Sequence, residues 1–313
     1  MRTLPDIDAL AAAGPFVATI GMFDGPHRGH ERLLATVVRE AERRAASPTI
    51  ITFVPHPDAV LRASPPPPLL SDPTEARARL AEAGLAWFVP QPFGRAFAAQ
   101  PAEAFLGRLA AGGNLRALVL TSESRLGRDR SGSATGLRPS ARELGAEIVV
   151  VEPLSVGGER VSSSRIRQLM AAGRLGQAGR LLGRRPAVIG TVVHGDGRGR
   201  GLGFPTANLA FDAPVALPAD GIYAARVSWG GSDPLRPARR ADGAASLGVR
   251  PTFGADGRLL EVFLLDLDED LYGRRLRVEF VRRLRGERRF ASSEALVVQM
   301  GRDVARIRSL LGG

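Results

Sequence analysis

FVATIGMFDGPHRGHERLLATVVREAERRAASPTIITF, residues 16–53, decides how the first half of this chain folds. Phe16 to Ile20 is a short apolar run rich in β-branched and aromatic residues, and Thr49 to Phe53 is a second. Such runs suit a buried strand. Between them, His30 to Ala45 places Leu33, Leu34, Val37, Val38, Ala41 and Ala45 on one face at helical spacing. Strand, helix and strand in that order form a crossover unit whose two strands lie parallel in one sheet.

The same alternation continues outward. Asp72-Pro73 supplies an N-cap and a first-turn proline for a helix that Gly84 can close. Leu85 to Val89, Leu115 to Leu120 and Glu147 to Val151 read as further strands. Strands separated by helices predict a parallel doubly wound sheet. The run Pro65 to Pro68 reads as a stiff surface connector. Ser164 to Gly183 reads as two short helices broken near Gly173.

After residue 183 the pattern changes. Val188 to Val193, Ile222 to Val227, Gly243 to Leu247, Leu260 to Leu265 and Leu276 to Phe280 are apolar runs separated by Gly, Pro and Asp turns with no helix between them. This predicts an antiparallel barrel or sandwich. Leu296, Met300, Val304, Ile307 and Leu311 then mark a closing helix. The expected domains are residues 1–183 and 184–313, and no internal repeat is visible.

The 313 residues suffice for two domains with cores of their own. Cysteine is absent, which removes thiol nucleophiles, Cys-ligated zinc, iron-sulfur clusters and disulfides. Lysine is absent too: all 43 cations are Arg, excluding a lysine-bearing P-loop, a Schiff-base lysine and a lysine general base. Phosphate, if handled, must meet Arg, backbone N–H groups or a metal. A net charge of +11 and a pI near 11.4 raise nucleic acid as a partner. Arg replacing every Lys, with 37 Gly and 23 Pro, reads instead as compositional bias, and 5% aromatics is thin for single-strand stacking. No nucleic-acid partner is expected. No run approaches the ~18 apolar residues of a membrane span, and Asp6 and Asp8 stand where a signal peptide would be cationic. The expectation is a cytoplasmic protein without membrane attachment, with room for a weak homo-oligomer.

Three of the four histidines fall in two short motifs. In IGMFDGPHRGHERLL, His27 and His30 stand three apart between the first strand and the first helix. Ligands of open α/β sheets bind at the carboxyl ends of strands, where a helix N-terminus offers N–H groups to phosphate. Gly21, Gly25 and Gly29 allow close backbone approach there. The alternatives are two capping histidines, or a metal pair with Asp24, which would be a poor site. In the second half, Thr206 and Asn208 of GTVVHGDGRGRGLGFPTANL offer side-chain oxygens from one face of an extended segment, after a loop containing Gly199, Arg200 and Gly201. Glu261 stands on an otherwise apolar strand, as a used residue or an edge residue paired with Arg250 would. The arginines from Arg274 to Arg289 read as a solvated face.

The order G-x-F-D-G-x-H-x-G-H, then VPHP at His56, then VSSSRIR at residues 161–167 resembles nucleotidyltransferases that pass an adenylyl or cytidylyl group from a nucleoside triphosphate. The resemblance implies that His27 and His30 stabilise charge at the α-phosphorus. It also implies that Gly21, Phe23, Asp24, Gly25, Gly29, His56, Ser162, Ser163, Ser164 and Arg167 bind the nucleotide. The Gly-Arg loop before GFPTAN, followed by GVRPTF, LLEVFLLD and DLYG, resembles riboflavin kinases. That implies a six-stranded barrel, Mg2+ held by Thr206 and Asn208, phosphates covered by Gly199, Arg200 and Gly201, Glu261 as general base, and Arg285 or Phe290 against the flavin. Together, over residues 15–310, the chain resembles the bacterial bifunctional riboflavin kinase/FMN adenylyltransferase family, with a Rossmann-like first domain. The implied chemistry converts riboflavin and ATP to FMN, then FMN and ATP to FAD and diphosphate.

Departures from the family pattern are local. LTSESRLGRDRSG stands where V-G-x-[DN]-F-x-F-G-x-x-R-x-G is usual, so Thr121 replaces Gly, Glu123 replaces Asp or Asn, and Ser124 replaces an aromatic. Ser246 stands for Asn and Phe263 for His in the second half. Two alternatives follow: a riboflavin kinase with an impaired adenylyltransferase half, and a non-enzymatic nucleic-acid binder on the same scaffold. Because Thr121, Glu123 and Ser124 shape the nucleotide pocket rather than stabilise charge, adenylylation is expected to persist with a raised KM. The double change Glu123→Asp with Ser124→Phe should lower KM for ATP or FMN in a steady-state FAD assay. A KM unchanged by the reversion would show the substitutions to be neutral.

Overall fold

Successive crossovers in the first 151 residues lay down one sheet of parallel strands in the computed structural model of the chain. It describes residues 1–62, 65–195, 198–249 and 257–312, without the side chains of Arg198 and Arg200. The sheet contains β1 (Arg2–Thr3), β2 (Phe16–Ile20), β3 (Ser47–Val54), β4 (Trp87–Pro92) and β5 (Leu115–Thr121). After a short ribbon of β6 (Arg125–Leu126) and β7 (Gly132–Ser133), β8 (Glu147–Val151) completes it. The order is β1-β4-β3-β2-β5-β8, with every pairing parallel. Strand order reverses between β2 and β5, and such a switch point is where open α/β sheets bind ligands. Helices cover both faces: Val17, Leu34, Val37 and Ile50 share one buried cluster, and Phe16, Ile51, Leu106 and Leu118 another.

The sequence reading differs from the structure at element ends and in the smallest elements. The first helix is Arg28–Arg43 rather than starting at His30, because His27 caps it and so begins it about half a turn earlier. A hairpin of β9 (Ser155–Val156) and β10 (Glu159–Arg160) follows β8. Like β1, it is two residues per strand, too short for any periodicity to reveal.

The second half is a closed barrel, which resolves barrel against sandwich. Its strands are β11 (Ala187–Val193), β12 (Thr206–Ala210), β13 (Gly221–Trp229), β14 (Arg239–Val249), β15 (Arg258–Leu264) and β16 (Arg275–Arg285). They close in the order β11-β12-β15-β14-β13-β16. Closure leaves no edge strand to aggregate. Inward side chains, among them Tyr223, Val227, Leu247, Leu260, Val262, Val278 and Phe280, are fully buried. The terminal helix Ser293–Leu311 lays Ile307 and Leu311 on an outer patch made by Ala224, Leu265 and Phe263. β14 and β16 run several residues beyond the apolar runs that announce them, into ends whose arginines Arg239, Arg240, Arg282 and Arg283 are exposed and so carry no apolar signal.

The chain forms two compact units that do not follow one cut in the sequence: Met1–Pro67 with Ala76–Ser162, and Pro68–Glu75 with Ser163–Gly313. The segment Pro68–Glu75 is bound to the second unit by chemistry the sequence does not announce. Leu69 N donates to Pro214 O and Ala216 N to Leu69 O, both at 2.8 Å. Arg275 pairs with Asp72. Glu75, only 2% exposed, accepts from Arg277 Nε at 3.1 Å and Nη2 at 3.3 Å, and Arg184 Nε lies 3.9 Å away. Burial works against the Arg277 charge, but Glu75 and Glu279 outweigh it and raise its pKa above the ordinary arginine value. Breaking such a buried pair from one side leaves a charge without its counter-ion, which costs ~3 kcal/mol. Glu75→Ala should therefore lower the unfolding midpoint of the second unit by several degrees in thermal melts. An unchanged midpoint would mean that Glu279 alone satisfies Arg277.

Candidate functional site

The turn after β2 brings together the first group of expected residues. Gly21 N donates to Ile51 O at 3.1 Å, continuing the sheet by one residue, and Gly25 takes φ +64°. Phe23 is buried beneath the turn, with its ring 4.9 Å from that of His30. His27 is the N-cap of the first helix: its Nδ1 accepts from His30 N at 3.2 Å. With Nδ1 an acceptor, the proton of the neutral ring sits on Nε2. The His27 and His30 rings stack at 3.7 Å and 7°. Capping and site geometry are thus one arrangement, because the cap orients the ring. A Cβ on Gly29 would come within 3.2 Å of His27 Cε1 and Nδ1 and 3.6 Å of Val161, so glycine leaves that ring its place. Asp24 is half-buried in the same turn.

His56 lies beyond β3, the neighbour of β2, and repeats the device. It caps the helix Pro57–Leu61, with Nδ1 accepting from Asp58 N at 3.1 Å. Ser162 ends the chain segments of the first unit, whereas Ser163, Ser164 and Arg167 stand on the helix Ser163–Ala171, which clusters with the second. Arg167 Nε donates to Pro68 O at 2.7 Å.

The unusual loop follows β5, beside β2 at the switch point. Thr121 N donates to Ser124 Oγ at 3.0 Å, and the two hydroxyls lie 2.9 Å apart. Thr121 and Ser124 therefore form a hydrogen-bonded pair that closes the turn. Glu123 forms an ion pair with Arg160 of β10. Sequence reasoning missed Arg160, since nothing short of the tertiary structure places it opposite residue 123.

In the barrel, the register β12/β15 sets Asn208 opposite Glu261 and Thr206 opposite Phe263. Glu261 is also opposite Ser246 of β14. Directly opposed residues share a face, so Asn208, Glu261 and Ser246 form a row on the outside of the barrel, while Leu260, Val262 and Leu264 point inward. Asn208 is buried and Glu261 and Thr206 half-buried. A Cβ on Gly195 would run into the Asn208 carboxamide, so the chain just past β11 closes tightly over it. Gly199 O accepts from Phe204 N at 2.9 Å, folding the short helix Arg198–Gly201 back toward Thr206. The Arg200 side chain and the Arg250 pairing considered for Glu261 lie outside the described residues. Phe263 packs 5.3 Å from Phe204 and joins the patch beneath the terminal helix, which explains an apolar residue there. Arg285 donates to Asp303 at 2.9 Å and 2.7 Å, and its guanidinium lies 5.8 Å from the Phe290 ring. That buried pair ties β16 to the terminal helix.

Among the described residues no cluster of three or more His, Cys, Asp or Glu could cage a metal ion. Thr206 and Asn208 do fit Mg2+: they are hard oxygen donors, few in number, as suits an ion that keeps waters and draws other ligands from phosphate. No helix of the described residues is long and apolar enough to cross a membrane.

Comparison with known proteins agrees with both halves. A family model described as FAD synthetase matches residues 10–165, and one described as riboflavin kinase matches residues 182–311. Proteins named bifunctional riboflavin kinase/FMN adenylyltransferase are similar along nearly their whole length. That of Escherichia coli strain K12 is 37% identical over 95% of this chain and 93% of its own. The one from Pseudomonas fluorescens is 35% identical over 94% and 92%, and the Bacillus subtilis protein 30% over 92% and 90%. The fold is also similar to the crystal structure of a Streptococcus pneumoniae protein described as a macrolide-efflux protein, with a TM-score of 0.85 and 27% identity over 98% of both chains. On the matched domains and the length of the likeness, this chain belongs to the bifunctional riboflavin kinase/FMN adenylyltransferase family.

Proposed function

We propose that riboflavin is phosphorylated on the outer face of the barrel between β12 and β15, and that FMN is adenylylated at the turn between β2 and the first helix. The observation that carries the first assignment is the register that sets Asn208 opposite Glu261, with Thr206 on the same face. It joins two neutral oxygen ligands to a carboxylate, the set that phosphoryl transfer from ATP needs. Thr206 and Asn208 hold Mg2+, which when bound neutralises charge on the phosphate oxygens. Glu261 accepts the proton of the riboflavin 5′-hydroxyl as its oxygen bonds the γ-phosphorus and ADP leaves. Gly199, Arg200 and Gly201 cover the phosphates, and the Asp303-held Arg285 orients the wall beside the flavin.

In the first unit no protein nucleophile is required. A phosphate oxygen of FMN attacks the α-phosphorus of ATP, and diphosphate departs. His27, donating from Nε2, and His30, stacked on its ring, stabilise the charge that develops on the phosphoryl oxygens, and the first N–H groups of the helix add a positive potential. Gly21, Phe23, Asp24, Gly25, Gly29, His56 and Ser162 shape the nucleotide site. Ser163, Ser164 and Arg167 are assigned to the nucleotide by their motif.

The functional division falls at residue 184, which the limits of the two matched family models support. An impaired adenylyltransferase is not favoured, since the FAD synthetase match runs through the Thr121–Ser124 loop. The partners are riboflavin, FMN and ATP, in the cytoplasm, without nucleic acid and with at most weak self-association.

Incubation with riboflavin, ATP and Mg2+, resolving FMN from FAD, tests the whole reading. Removing a general base lowers rate by about 10² to 10⁴. Glu261→Gln should therefore abolish FMN formation while FAD synthesis from supplied FMN stays near wild type. Loss of both activities together would contradict two separate sites.

A further inference from the structure

Four observations meet beside the switch point of the sheet. The loop after β5 adjoins the turn after β2 because the two strands are paired. Glu123 in that loop forms an ion pair with Arg160. Val161, the next residue, is buried and would touch a Cβ on Gly29, the residue that also adjoins His27. Both members of the pair keep access to solvent, with 46% of the Glu123 side chain and 56% of the Arg160 side chain exposed. Arg160 is therefore a reachable cation close in the chain to the surface that packs against the histidine turn, and a carboxylate occupies it.

We propose that Glu123 is a positioning residue that holds Arg160 in an internal ion pair, and that an anionic nucleotide tail must exchange with this carboxylate before Arg160 can meet its phosphates. The inference rests on the adenylyl-transfer reading above. The hairpin β9–β10 and the Val161 contact fix the backbone on either side of Arg160, since Arg160 pairs with Ser155 and Val161 N donates to Leu154 O at 2.9 Å. The Thr121–Ser124 hydrogen bonds fix the turn that carries Glu123. Exchange then needs only side-chain rotation. An exposed pair of this kind is equivalent to a factor of about two to five in an equilibrium constant. Its effect is on binding rather than on charge development at the α-phosphorus, so it belongs in KM and not in kcat.

Calorimetric titration of the full chain with inorganic diphosphate reads the exchange without turnover. Glu123→Gln should tighten diphosphate binding by about two- to fivefold, more at low salt than at high. Arg160→Gln should weaken binding, and adding Glu123→Gln to Arg160→Gln should then change nothing further. In the FAD assay, Glu123→Gln should lower KM for ATP by a similar factor with kcat unchanged. The proposal is overturned if Glu123→Gln leaves diphosphate affinity unchanged or weakens it, or if it tightens binding equally in the Arg160→Gln background. A wild-type chain that makes no FAD would refute the adenylyl-transfer reading, while the titration would still decide the role of Glu123.

Discussion

The antiparallel register of β12 and β15 is the constraint on which the second half depends. Once Asn208 faces Glu261, the period-two alternation of both strands is fixed. A slip of one residue would send Leu260 and Val262 outward and bury Glu261 in an apolar interior. The cost of burying an unpaired carboxylate excludes that slip. The register of β14 with β15 adds Ser246 beside Glu261, and on the same outer face Phe263 lies beneath the terminal helix. The residues assigned to chemistry therefore stand on the outside of the barrel because the inside is committed to packing.

The first half solves a different problem with a shorter piece of chain. A parallel sheet leaves its ligand site to loops, and loops must be held. Here the holding is done by caps: His27 and His56 each accept a backbone N–H through Nδ1, at the start of helices that follow neighbouring strands. One hydrogen bond both satisfies a helix end and fixes the orientation of an imidazole. Stacking of His30 on His27, above the buried Phe23, removes further freedom.

The departures from the family pattern become coherent in space. Thr121 and Ser124 bond to one another, and Glu123 bonds to Arg160, so three replacements in one loop carry their own partners. Phe263 enters an apolar patch that its position already faces. Complete use of arginine in place of lysine also acquires a structural role where Arg277 and Arg184 surround the buried Glu75, since a guanidinium can meet several acceptors at once.

Local pattern was enough for the architecture. The spacing of Leu33, Leu34, Val37 and Ala41, the strand runs that flank them, and the change to helix-free strands after residue 183 specify a parallel sheet followed by an antiparallel one, because periodicity is set by which face is buried. The motifs around His27, His56, Thr206 and Glu261 were legible for the same reason: they are short and contiguous. What only the tertiary structure decided are pairings between distant residues. Glu123 with Arg160, Glu75 with Arg277, Arg285 with Asp303 and the row Asn208–Glu261–Ser246 depend on register and on chain crossings. Closure of the barrel belongs with them, since no strand carries in its own sequence which partner will take its free edge. A side chain's neighbours along the chain restrict its conformation, but its counter-ion is chosen by the fold.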